Sequence, residues 1–139
     1  MSTLGRSTLI AYLECSYEVH ARPAFVLRIG ERSRALAALL AREAADCAAY
    51  LSACNPHGEL VAEAWNARAT QRLRRAVERR GYGWVAGCGR DLAGVWPGEA
   101  SVLVPGMGLA EATAMARRFA QNAFVWSAAD ARPQLVLLR

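Results

Sequence analysis

The chain has 139 residues, of which 54% are hydrophobic and 21% charged, and its formal net charge is +5. This length suits one domain with a buried core, and the balance of apolar and charged residues excludes a disordered chain. Because no apolar stretch reaches the ~20 residues of a membrane span and the N-terminus does not resemble a signal peptide, we expect one cytoplasmic domain over residues 1–139, without membrane contact.

The first third of the chain predicts two helices and three strands. Residues 8–14 favour a short helix, and residues 17–20 and 25–29 favour two strands joined by a turn at Arg22-Pro23. Ser33 is a typical N-cap residue and precedes an Ala/Leu-rich helix that extends to about Ala45. Residues 47–54 form a short apolar run before Asn-Pro, which is typical of a buried strand.

The longest predicted helix covers residues 60–80. Apolar side chains recur along it at helical spacing and predict its core-facing stripe: Val61, Trp65, Ala69, Leu73, Ala76 and Val77. Gly81 follows this stripe and is expected to end the helix as a C-cap.

The second half adds four strands and one helix. Residues 82–86 and 101–104 predict strands, and the glycines between them predict a flexible loop at Gly87, Gly89, Gly94 and Gly98. Residues 109–121 predict a helix, and residues 123–126 and 134–138 predict strands on either side of a turn.

The order of elements from residue 47 is strand, helix, strand, strand, helix, strand, as in the split β-α-β arrangement of ferredoxin-like folds. We therefore predict an α+β two-layer sandwich with a mixed, mostly antiparallel sheet. Its core is ferredoxin-like β-α-β-β-α-β, and the remaining strands extend the sheet at its edges.

Several short motifs lie at the ends of these elements. They are Leu-Ser-Ala-Cys-Asn-Pro at residues 51–56, Asn66 with Arg72-Leu73, Trp96 with Glu99 and Ser101, and Phe119 with Gln121 and Ala123. In this order they resemble the bacterial family called domain of unknown function 3293, over about residues 9–138. Trp65 departs from the family pattern by replacing an acidic residue, and Ala120 departs from it by replacing a glycine. The resemblance implies fold boundaries and site residues but no activity.

The same positions predict a ligand-binding pocket or polar network made of Asn55, Asn66, Trp96, Glu99 and Gln121. For Asn55, turn chemistry and a polar group aimed into a pocket are both open. Asn66 is displaced by about 100° from the core stripe, so a solvated position is favoured over a hydrogen bond to the Asn55 loop.

Two further site residues favour structural roles. Glu99, near Trp96, is favoured as a hydrogen-bond acceptor or ion-pair partner over a general acid or base, because no second carboxylate or nucleophile is evident beside it. Gln121 ends a helix and is favoured as a hydrogen-bonding clamp over a ligand contact. Asn122 beside it is a residue type that adopts the left-handed helix cap.

Basic charge concentrates on the long helix. All 17 basic residues are arginine, and residues 60–80 hold six of them against two glutamates. Four share one helix face: Arg68, Arg72, Arg75 and Arg79. Such a face can meet phosphates, but interleaved exposed aromatic residues are lacking. A solvated face that pairs with glutamates or a partner protein is therefore favoured, and nucleic-acid binding stays an alternative.

Cysteine and histidine residues give a weak signal for chemistry. A structural zinc site needs four ligands, usually as two close pairs, whereas Cys54 and His57 form one weak pair. The cysteines lie in apolar runs without paired spacing, so we interpret them as buried free thiols: Cys15, Cys47, Cys54 and Cys88. We expect neither a metal nor a cofactor.

These observations favour a small binding module for an unidentified small molecule or protein. The first alternative is nucleic-acid binding through the arginine face. The second is an enzyme that uses Glu99 or Cys54, and it ranks last because the sequence supplies candidate groups without a catalytic constellation.

Overall fold

The computed structural model describes residues 4–92, 94 and 97–138, so the predicted site residue Trp96 lies outside the described residues. Within these residues there are four α-helices: α1 (Arg6–Glu14), α2 (Arg34–Arg42), α3 (Glu63–Arg79) and α4 (Leu109–Arg118). There are seven strands: β1 (Ser16–Val19), β2 (Phe25–Leu27), β3 (Ala48–Ser52), β4 (Val85–Arg90), β5 (Glu99–Pro105), β6 (Ala123–Ser127) and β7 (Gln134–Leu137).

All seven strands join one sheet in the order β2-β1-β4-β5-β3-β6-β7. Every neighbouring pair is antiparallel, so the α+β class is confirmed, but the sheet is not mixed in the part of the chain described. β3 lies inside the sheet, where Tyr50 is opposite Leu103 of β5 on one side and Val125 of β6 on the other.

Helices cover both faces of this sheet. Ala49 and Leu51 of β3 pack in the core beneath α3 and α4. Tyr50, which points to the opposite face, belongs to a second core that includes Leu36 and Leu39 of α2. Because successive side chains of a strand alternate between faces, β3 contributes to both cores. The predicted two-layer sandwich therefore describes the sheet with α3 and α4 on one face, but it does not include α2 on the opposite face.

The helix caps predicted at Ser33 and Gly81 are confirmed. The Ser33 hydroxyl accepts a hydrogen bond from the Leu36 backbone N–H at 3.0 Å, which caps α2. Gly81 follows α3 with φ 86°, a left-handed conformation that glycine adopts without strain. The core stripe of α3 is buried from Ala69 to Val77, whereas Val61 precedes the helix and Trp65 is half-buried at the edge of the core.

The predicted loop at Gly87 and Gly89 is wrong, because both residues lie within β4. β4 pairs with β1 on one side and β5 on the other. A Cβ atom on Gly87 would overlap the carbonyl oxygen of Glu18 and lie 2.8 Å from the Tyr50 hydroxyl oxygen. Glycine is thus needed here because another backbone approaches closely, not because the chain turns.

None of the helices in the described ranges has the length and apolar character that crossing a bilayer requires.

Candidate functional site

Asn55 follows β3 and holds the centre of a polar network. It has a left-handed backbone, with φ 49°, and its side chain is buried. Its Nδ2 donates to Glu99 Oε2 at 2.8 Å, and its Oδ1 accepts from Asn66 Nδ2 at 3.0 Å and from the Val61 backbone N–H at 3.2 Å. Asn55 therefore combines the backbone conformation of a turn residue with a side chain that belongs to a polar network.

The favoured solvated position for Asn66 is wrong. Asn66 is half-buried in the first turns of α3, where its Oδ1 also accepts the backbone N–H of Asn55 at 2.9 Å. The two asparagines thus bond each other through both ends of the Asn66 carboxamide. This double contact fixes the start of α3 against the end of β3.

Gln121 makes the contacts of a clamp at the end of α4. Its Nε2 donates to the backbone carbonyls of Cys54 and Phe119, both at 3.1 Å. The left-handed residue at this helix end is Ala120, with φ 57°, and not Asn122. The Ala120 carbonyl accepts the His57 backbone N–H at 2.7 Å, so this conformation is tied to the loop that follows Asn55.

A cavity of about 390 Å³ lies between α1 and the face of the sheet that α2 also covers. This volume falls in the range of roughly 300–1,000 Å³ that is typical of small-molecule pockets. The residues on which its chemistry depends are Tyr12, Tyr17, Tyr50, Asn55, Glu99 and Gln121. Asn66 does not line the cavity; it supports Asn55 from behind.

Glu99 is a charged and partly buried group of the cavity wall. Burial raises the pKa of its carboxyl group, and the hydrogen bond from Asn55 opposes this rise. None of the ion pairs within the described ranges involves Glu99. The expected structural role for Glu99 included pairing with an arginine, and its partner is instead the neutral Asn55.

Two tyrosines form the aromatic part of the wall. Tyr17 donates its hydroxyl proton to the Tyr12 carbonyl at 2.6 Å, and Tyr50 donates to the Glu18 carbonyl at 2.8 Å. Their ring centroids are 5.5 Å apart in an edge-to-face arrangement. Burial raises the pKa of both phenols, so both hydroxyls stay protonated at neutral pH.

Sequence analysis did not single out the tyrosines as cavity residues. The sequence shows Ser52 and Ser101 within otherwise apolar strands, and the structure pairs them directly on the face that also carries Tyr50. Two hydroxyl groups at one place on an otherwise apolar sheet face indicate that this part of the face is not filled by a packed core.

The cysteine and metal hypotheses gain no support. Cys54 is buried, its sulfur lies 3.8 Å from the Thr70 hydroxyl and 3.6 Å from the Ala100 carbonyl, and burial raises the pKa of its thiol. A protonated buried thiol is a weak nucleophile. In the part of the chain that the structure describes, no group of three His, Cys, Asp or Glu side chains is arranged to hold a metal ion.

The arginine face lies on the exposed side of α3, with all four members exposed: Arg68, Arg72, Arg75 and Arg79. The expected pairing with glutamates is absent among the described ion pairs, whose arginines are Arg80 and Arg90. Arg72 instead lies 5.8 Å from the ring centroid of Trp65. Trp65 is therefore an aromatic residue beside this face rather than a fully buried core residue.

One protein-family model matches the chain, over residues 51–124, and its description is "Protein of unknown function (DUF3293)". The matched segment is more than half of the chain and contains Asn55, Asn66, Glu99 and Gln121. No curated protein and no solved structure matches the chain.

Proposed function

The chain belongs to the DUF3293 family of proteins of unknown function, and from this premise we propose that it binds a small organic molecule in the cavity beneath α1. The observation that carries the proposal is the Glu99 carboxylate, which Asn55 holds at the wall of this cavity.

The electrostatics of Glu99 support a binding role over a purely structural one. A carboxylate removed from water without an ion pair destabilises the folded state unless the group stays protonated. A glutamine at this position would keep the hydrogen bond from Asn55 without that cost. Ionisable groups placed in clefts with a shifted pKa are typical of functional sites, where stability is given up for activity.

The network behind Glu99 supports the same proposal. Asn66 fixes the Asn55 carboxamide, and Asn55 fixes one carboxylate oxygen of Glu99. Gln121 holds the Cys54 carbonyl immediately before Asn55. Because these polar groups are held before a ligand arrives, binding would require little further loss of side-chain freedom.

The proposal is tested by closing the cavity from α1. Ala11 lines the cavity and is exposed, so Ala11→Trp would fill it without disturbing a buried core. Ala114→Trp, at an exposed position of α4, is the matched control. We expect small molecules from a fragment library to shift the amide resonances of Ser101 and Gln121 in the wild type and the control, but not in Ala11→Trp. If no fragment shifts these resonances in the wild type, the proposed function is refuted.

We also infer that residues 48–127 form a ferredoxin-like core within one domain. Support comes from the strand order β4-β5-β3-β6, from α3 connecting β3 to β4, and from α4 connecting β5 to β6. β1, β2 and β7 then extend this sheet at its two edges. The contribution of β3 to both cores supports one domain rather than two.

A second candidate function is nucleic-acid binding through the arginine face, favoured by the four exposed guanidinium groups and by Trp65 beside them. Affinity that depends on phosphate contacts falls steeply with salt. The test compares two variants in which four arginines are replaced by glutamine. The first carries the substitutions on the arginine face, at Arg68, Arg72, Arg75 and Arg79. The control carries them at four other exposed positions: Arg28, Arg32, Arg34 and Arg42. If both variants bind single-stranded oligonucleotides as the wild type does, this candidate is refuted.

A further inference from the structure

The charges that line the cavity have one sign. Glu99 and Asp91 are both part of its wall. The chain carries 17 basic residues, all arginine, yet no arginine and no histidine occurs among the described lining residues. Since opposite charges attract and like charges repel across a low-dielectric cavity, an anionic ligand is disfavoured here and a cationic one is favoured.

The hydrogen-bond donors on the sheet side of the cavity have partners within the protein. The hydroxyl protons of Tyr17 and Tyr50 go to the backbone carbonyls of Tyr12 and Glu18. Gln121 Nε2 donates to two backbone carbonyls.

Ser52 and Ser101, the serines on the sheet side of the wall, follow the same pattern. Ser52 donates to the Ala100 carbonyl at 3.1 Å, and Ser101 donates to the Glu99 carbonyl at 3.0 Å.

What these groups still offer a ligand is acceptor capacity. Each tyrosine and serine oxygen keeps lone pairs, the Gln121 side chain keeps its carbonyl oxygen, and the Glu99 carboxylate is an acceptor with two oxygens. A ligand that fits this inventory must supply N–H or O–H donors. A ligand rich in acceptors would leave buried polar atoms unpaired, which weakens binding.

From these observations, and resting on the proposed function, we infer that the cavity ligand is an organic amine whose ammonium group forms an ion pair with Glu99. A cation beside Glu99 would supply the ion-pair partner that the described residues do not provide. The pKa of Glu99, which burial raises, would then fall on binding. The rings of Tyr17 and Tyr50 offer a further attraction to a cation that lies near them.

The inference is tested with probes that share a skeleton and differ in the head group. Benzylamine, benzyl alcohol and benzoate form one set, and butylamine, butanol and butyrate form the second. Titrations followed by the amide resonances of Ser101 and Gln121 at pH 7.5 give the dissociation constants. We expect the dissociation constant of each amine to be lower than that of its alcohol by roughly 10-fold or more, because hydrogen bonds between charged partners are stronger than neutral ones. Each carboxylate should bind most weakly of its set.

Glu99→Gln is the decisive variant because it keeps an acceptor for Asn55 and removes the charge. We expect it to abolish the preference, so that each amine binds no more tightly than its alcohol. Glu59→Gln, which makes the same charge change at an exposed site outside the cavity, should behave as the wild type.

The outcomes separate the two proposals. If alcohols or carboxylates bind as tightly as the amines, the cavity is a binding site and the amine inference is overturned. The same conclusion follows if Glu99→Gln leaves the amine preference intact. If none of the six probes and no library fragment binds, the proposed function fails, and the amine inference fails with it.

Discussion

Asn55 and Glu99 are 44 positions apart in the chain, yet the Asn55 carboxamide donates directly to the Glu99 carboxylate at 2.8 Å. The oxygen of the same carboxamide accepts from Asn66 in α3 and from the backbone of Val61. The orientation of Glu99 at the start of β5 is thus coupled to α3 through one side chain. A substitution of Asn55 should therefore disturb both the fold and the cavity wall.

Replacing Asn55 by alanine should destabilise the fold by about 2–3 kcal/mol, because three hydrogen-bonding groups lose a partner and alanine is strained at positive φ. Urea unfolding measures this change. Asn55→Gly is the matched variant, because it loses the same bonds but tolerates the left-handed backbone. A free energy of unfolding for Asn55→Ala within about 0.5 kcal/mol of the wild type would contradict the network role, since that is the range of neutral surface substitutions.

Combining Asn55→Ala with Asn66→Ala should reveal their coupling. The two side chains bond each other directly, so their effects on the free energy of unfolding should not add; we expect about 1 kcal/mol of interaction energy. Asn55→Ala combined with Ala114→Gly, at an exposed position inside α4, is the additive control. Simple additivity of the first pair would show that the asparagines stabilise the fold independently.

Replacing Glu99 by glutamine should stabilise the protein at neutral pH, by roughly 0.5–2 kcal/mol on the scale of substitutions that relieve a functional site. In the wild type, burial raises the pKa of Glu99 above its unfolded value. The folded state therefore holds this proton more tightly than the unfolded state does. The stability that the protonated carboxyl group contributes is complete below the pKa of Glu99 in the unfolded chain, and it is lost as the pH rises through the pKa of Glu99 in the folded protein.

The measurement is urea unfolding of the wild type and Glu99→Gln between pH 4 and pH 8, with Glu59→Gln as the exposed control. The advantage of Glu99→Gln should grow as the pH rises. An advantage that is constant over this range, or that shrinks, would show that the carboxylate is not destabilised by burial.

The features that the sequence predicts well depend on residues within one helical turn of each other. Ser33 caps α2 through a contact three residues away, and Gly81 ends α3 through its own conformation. The stripe from Ala69 to Val77 follows from helical spacing alone. These signals are local, so no knowledge of the sheet is needed to interpret them.

The features that the sequence misses depend on distant parts of the chain. Gly87 belongs to a strand because it pairs with Val19 of β1 and Ser101 of β5. Whether Asn66 is solvated is decided by where the Asn55 loop passes. A polar residue one position off a core stripe has the same sequence pattern in both cases, and only the packing of α3 against the end of β3 distinguishes them.

Replacing Gly87 by alanine should destabilise the fold by about 1–3 kcal/mol or more, on the scale of overpacked sites. The new methyl group would overlap the Glu18 carbonyl, which belongs to the neighbouring strand, and would press on the Tyr50 hydroxyl that bonds this carbonyl. Thermal and urea unfolding measure the effect. Gly83→Ala, where no atom lies within 4 Å of the added carbon, is the control and should be neutral. Equal stabilities of the two variants would mean that β1 and β4 lie farther apart than described.

Replacing Ala120 by glycine should stabilise the protein by about 0.5–1 kcal/mol. Ala120 has φ 57°, and an alanine in this conformation is strained by about 1–2 kcal/mol, of which the greater freedom of glycine in the unfolded chain cancels about 0.4–1 kcal/mol. The position follows α4, where a left-handed glycine usually ends a helix.

Ala114→Gly is the matched control for this substitution, because Ala114 lies inside α4 and is exposed. Glycine inside a helix costs about 0.8–1 kcal/mol, so the two Ala→Gly changes should shift the urea midpoint in opposite directions. The hydrogen bond from the His57 backbone N–H to the Ala120 carbonyl stabilises this left-handed conformation and ties Ala120 to the Asn55 loop. If both variants are destabilised, the left-handed conformation of Ala120 is incorrect, and the contact between α4 and the Asn55 loop must be arranged differently.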